Sequence, residues 1–171
     1  MKRFSTLLLA GSALLLALVP NIRAEEPTPE VLIGRVRAVT LSPHFSREEI
    51  TQALIDTLDA ALQVLPQADY AAEFKSHVGT VREMLTEGAL FEGKVRQYLE
   101  LSYKLVSGGQ AWVIPDELAS AYKGAEIMDR AKKICAALLD ASLAELKAGR
   151  RDAAVRDLVS FVIFVITPVE A

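Results

Sequence analysis

The sequence predicts an all-α protein, a single-domain bundle of about five helices that follows a cleaved signal peptide. Three observations carry the prediction. Apolar residues recur at three- and four-residue spacing through most of the chain beyond residue 46, the period of helices with one buried face. Helix start and stop residues, among them Ser46, Pro66, Gly88 and Gly149, punctuate that pattern, and no partner for a strand is visible. The chain has a single cysteine, Cys135, so no intramolecular disulfide can form and apolar burial alone must hold the fold.

Residues 1–24 read as an export signal. Lys2 and Arg3 precede an apolar run from Leu7 to Val19, and Pro20 and Ala24 supply a helix breaker and a small residue at the cut. The uncharged run is shorter than the ~20 residues of a spanning helix, which favours cleavage after Ala24 over a retained anchor. No cysteine lies near that cut, so there is no thiol to carry a lipid. The expected destination is the periplasm or the cell exterior, with no stable membrane span after cleavage.

Beyond the signal, residues 25–45 form a leader and an ambiguous segment. Residues 25–30 are polar and proline-rich, as in a flexible lead-in. Residues 31–41 fit strand or helix: Val36, Ala38 and Thr40 alternate with neighbours that give no clean polar face, while Thr28, Pro29 and Glu30 make a good helix start.

The helical domain is expected over residues 46–171. Ser46 and Glu49 have capping-box spacing, and Phe45 is placed to staple onto Ile50, so a first helix starts near Arg47 and ends at Pro66. Its apolar positions include Ile50, Leu54, Leu58 and Leu65. A second helix, about Asp69 to Glu87, carries Phe74, Val78, Val81 and Leu85 on one stripe and stops at Gly88. The third, about Ala89 to Ser107, presents Phe91, Val95, Tyr98, Leu99, Leu101 and Leu105; this broader apolar surface points to a central position.

A long fourth helix is expected over about residues 116–148, which at ~1.5 Å per residue would reach ~50 Å unless Gly124 breaks it. It forms a C-terminal hairpin with a fifth helix after Gly149, for which Asp152 is the candidate cap. Residues 159–166 are rich in β-branched side chains, yet the preceding Ala153 to Leu158 favours helix. That run is either the most buried part of the core or a subunit contact.

Composition narrows the function by exclusion. The net charge is −3, and loss of Lys2, Arg3 and Arg23 with the signal makes it more negative, against a nucleic-acid partner. There are only two histidines, His44 and His77, and His77 stands four residues from Glu73, the spacing of a solvated ion pair. No metal site or cofactor is assigned: motifs for zinc, haem attachment, phosphate cradling and the serine nucleophile elbow are all missing. The carboxylate pairs Glu48-Glu49 and Asp116-Glu117 complement helix starts rather than converge in a cleft, so no catalytic residue is assigned either.

Two places remain as candidate sites. The loop from Ser107 to Pro115 gives Trp112 freedom and apolar company, and Tyr98, Tyr103 and Tyr122 from the flanking helices could meet it; such a tryptophan either closes a ligand pocket or seals the bundle. Lys147, Arg150, Arg151 and Arg156 concentrate positive charge at the last turn and could receive an anion, although Asp152 and Asp157 neutralise part of it. Lys132 and Lys133 are expected to be balanced by Asp129. Cys135 falls on an apolar stripe, the position of an inert buried thiol. The function these features favour is a non-catalytic exported module that binds a protein, an envelope component or a small apolar ligand. A homo-oligomeric assembly protein and an enzyme with a motif-free site are the rivals.

Overall fold

Thr28 starts the first helix, accepting from the Val31 amide while Pro29 supplies a preset backbone angle one residue inside. The helix, α1, spans Pro29–Leu41 and resolves the segment that sequence left open. Leu32, Ile33 and Val36 are its buried residues, so the helical body already begins here. The computed structural model describes residues 25–114 and 127–167. Six helices occur among the described residues, and no strand does.

Ser46 and Glu49 form the reciprocal capping box that starts α2, Arg47–Val64, with the Ser46 amide donating to Glu49 and the Glu49 amide to Ser46 Oγ. Ala53, Leu54, Leu58, Ala61 and Val64 give it a buried face. After the turn at Pro66, α3 spans Ala71–Thr86 and buries Phe74, Val78, Val81 and Leu85, as their spacing predicts. Gly88, at φ 89°, ends it in the left-handed conformation, and the Ala89 amide closes back on the Met84 carbonyl at 2.9 Å.

The next helix, α4, is shorter than expected, Gly93–Val106, and buries Val95, Leu99, Ser102 and Val106. Phe91 lies before its first turn and is 66% exposed; Leu101 faces outward too, so α4 is not the central helix its apolar content predicts. Only the strip carrying Val95, Leu99, Ser102 and Val106 is buried, against α3 and the last helix, and Leu101 lies off that strip.

The central place belongs to the last helix. Of the predicted long helix, the described part forms α5, Ile127–Lys147; residues 116–126, and with them the expectation about Gly124, lie outside the described residues. Gly149, at φ 74°, lets the Arg150 amide reach back to the Glu145 carbonyl at 2.9 Å, and the chain returns as α6, Arg151–Ile166. The hairpin is thus present, and it is the most extensive helix pair in the fold. Residues 159–166 are helical, not strand. Ala154, Val155, Leu158, Val159, Val162 and Ile163 are fully enclosed by α2, α4 and α5, so this run lies in the core. Asp152 does not cap α6; its carboxylate instead accepts from the Tyr70 hydroxyl, tying the start of α3 to the start of α6. An exposed Arg37–Asp140 pair at 2.8 Å links α1 to α5. No helix among the described residues is long and apolar enough to cross a membrane.

Candidate functional site

Trp112 emerges from the loop after α4, and the sequence marks it as the leading recognition residue. The residue is 9% exposed, and its indole N–H donates to Ser160 Oγ on α6 at 2.9 Å. Arg96 lies 6.0 Å from the ring centroid while its Nε holds Glu100 at 2.8 Å. A tryptophan whose apolar body and single donor are both satisfied inside the protein is a seal on the core. Tyr98 and Tyr103 pack partly buried against the core, but Tyr98 faces His77, with ring centroids 5.7 Å apart. Tyr122 lies outside the described residues. The described members of that quartet therefore share the core rather than line one pocket.

The basic turn is also largely occupied. Arg150 Nε donates to Glu145, and this bond holds the Glu145 carboxyl below its ordinary range and the guanidinium above its own. Arg156 reaches Asp157 at 3.4 Å; burial pushes that carboxyl up, against the pull of Arg156. Lys147 and Arg151 are exposed. His77 Nε2 lies 3.9 Å from the Glu73 carboxylate one helical turn away, and its Nδ1 is buried and unbonded. No group of three or more His, Cys, Asp or Glu among the described residues is arranged to hold a metal ion.

What the described residues do enclose is an apolar cavity of about 240 Å³ between α1, α2, α5 and α6. Val39 and Thr40 contribute from α1; Ile50, Ala53 and Leu54 from α2. The opposite walls are Met128, Ala131 and Cys135 on α5 with Phe161, Phe164 and Val165 on α6. These walls form because each helix turns part of its apolar stripe toward a point where four elements meet. Phe45 and Met128, 36% and 56% exposed, form an apolar rim open to solvent.

The polar content of the cavity is small and mostly committed. Thr40 Oγ1 donates to the Val36 carbonyl at 2.9 Å and Thr167 Oγ1 to the Ile163 carbonyl at 2.7 Å, so both hydroxyls serve their own helices. Lys132 is different. It does not pair with Asp129: its Nζ donates to the Ser42 carbonyl at 3.0 Å, beyond the end of α1, and lies 5.8 Å from the centroid of the Phe45 ring. Cys135 is buried in the wall, and burial pushes its thiol up to about 12. That opposes a nucleophilic thiolate at neutral pH.

Sequence reading missed this cavity, although Phe45, Ile50 and Cys135 were each noticed separately. The signal available was local: an aromatic before a helix start and a lysine on the apolar side of a helix. Nothing in the spacing places Lys132 against a carbonyl 90 positions earlier. Compared with known proteins, the chain matches no family model, no curated protein and no solved structure.

Proposed function

We propose that the chain is an exported, non-catalytic binding module that holds a small apolar ligand in the cavity between α1, α2, α5 and α6. Export rests on the sequence pattern of residues 1–24. The observation that carries the binding reading is the cavity itself. Protein interiors pack to near-crystalline density with few voids larger than a water molecule. At ~24 cal/mol per Å³, an enclosed void of this size would cost on the order of 5 kcal/mol, comparable to the whole stability of a small domain. Partial opening at Phe45 and Met128 relieves some of that cost and gives a ligand its way in. The apolar lining, the inert thiol and the committed hydroxyls favour holding a ligand over transforming one.

A panel of ten-carbon probes tests this: naphthalene, 1-decanol and decanoate, titrated calorimetrically into the full chain. At least one should bind with one-to-one stoichiometry and raise the melting temperature in proportion to the logarithm of its concentration. Ala131→Phe, which fills the cavity from α5, should abolish uptake while melting stays cooperative. Absence of binding by every probe, or unchanged binding in Ala131→Phe, would overturn the reading.

A further inference from the structure

The described residues line the cavity with apolar side chains and place the Lys132 ammonium at its margin, and that asymmetry specifies a class of ligand. We infer that the occupant is an amphiphilic anion, a carboxylate with an aliphatic tail of about ten carbons, whose tail fills the cavity and whose head group is received by Lys132. This inference rests on the proposed binding function and adds the chemistry of the ligand.

Size sets the tail. A dry cavity of ~150 Å³ accepts the six carbons of benzene, so about 240 Å³ scales to about ten carbons. Each methylene moved from water into such a wall contributes ~0.8 kcal/mol, which makes the tail the source of affinity.

Charge sets the head. An ammonium has three donors, and one Lys132 N–H is engaged with the Ser42 carbonyl. That bond and the Phe45 ring hold Nζ at the rim instead of letting it swing into solvent. Among the described residues no carboxylate forms a salt bridge with Lys132, whereas Arg37, Arg82, Arg96, Arg150 and Arg156 all have one. With the Thr40 and Thr167 hydroxyls committed to their own helices, the described lining residues offer an incoming head group a charged donor and include no competing acid. A carboxylate at the rim keeps part of its hydration, so it gains the ammonium contact without full burial.

Comparing decanoate with 1-decanol by calorimetry at neutral pH and low salt tests the inference without any substitution. An apolar cavity alone prefers the alcohol, because a carboxylate costs more to desolvate. The inference requires the reverse: decanoate binding about tenfold or more tightly than decanol, the scale of a hydrogen bond to a charged partner. Lys132→Met, which keeps the apolar stem, should erase that preference and leave decanol within about threefold of its original affinity; Lys132→Arg should preserve it. If decanol equals or exceeds decanoate in the unaltered chain, or if the preference survives in Lys132→Met, the inference is wrong while the binding reading stands. If neither ligand binds and naphthalene fails too, the binding reading itself falls.

Discussion

Two regions of this protein use the same ingredients, an aromatic side chain from a loop with a cation near its ring, and put them to opposite ends. At Trp112 the ring is buried, its donor is taken by Ser160, and Arg96 is neutralised by Glu100. At Phe45 the ring stands at an open rim, Lys132 has a carbonyl but, among the described residues, no carboxylate partner, and an apolar cavity lies behind. Both regions lean on adjoining residues of α6, Ser160 for one and Phe161 for the other. The lesson is that an aromatic beside a cation identifies a site only when its surroundings leave something unmet. Satisfied groups stabilise a fold, and unsatisfied ones mark where a ligand contributes.

The sharpest way to break this contrast is to truncate both rings and compare stabilities. Trp112→Ala should cost about 3–5 kcal/mol in denaturant unfolding, as for large aromatic residues removed from a core, whereas Phe45→Ala should cost less than ~1 kcal/mol. Equal costs would erase the distinction between seal and rim. Next in size, Ser160→Ala leaves the buried indole N–H without its acceptor and should cost about 1–3 kcal/mol, more than a hydroxyl deletion at exposed Ser76.

A titration separates the regions differently. The Cys135 thiol rises from 9.0 to about 12 on burial, so the unfolded chain loses its proton first as pH climbs. The stabilisation is therefore present in full below pH 9.0 and is lost between there and about 12, at no more than ~1.4 kcal/mol per pH unit. Tyr70, which burial and its bond to Asp152 also push upward, adds a loss of the same sign centred on and above its ordinary value of 10.0. Unfolding measured between pH 9.0 and 10.0 should lose stability more steeply in the unaltered chain than in Cys135→Ala.

The smallest stability effect is expected at the cavity. Adding bulk to a packed core ordinarily costs about 1–3 kcal/mol, but Ala131→Phe should leave stability unchanged or higher because it meets empty space. A loss on the ordinary scale would show that the space is too shallow to hold a side chain.

Much of the architecture was legible because its causes are local. The Ser46–Glu49 capping box, the stop at Gly88 and the hairpin turn at Gly149 each lie within a few residues of their partners, and the structure contains all three. Helix α1 resisted because Leu32, Ile33, Val36 and Val39 face inward while the apolar Val31 and Leu41 are exposed, so its pattern has no clean polar face to reveal the period. Phe91 and Leu101 misled for the same reason in reverse, apolar residues turned to solvent. The candidate site was legible only in fragments. Trp112 attracted notice by its type, yet its role depends on Ser160, 48 positions away, and the cavity needs four helices that only the assembled fold brings together.

The central claim is that the open region, not the Trp112 region, receives a ligand, and a crystal structure of the chain grown with decanoate tests it most directly. The account predicts an extended ligand between Ala131, Cys135 and Phe161, its carboxylate within hydrogen-bond reach of Lys132 Nζ, and the Trp112–Ser160 bond intact. Ligand density against Trp112 instead, or a cavity closed by the protein's own side chains, would contradict it.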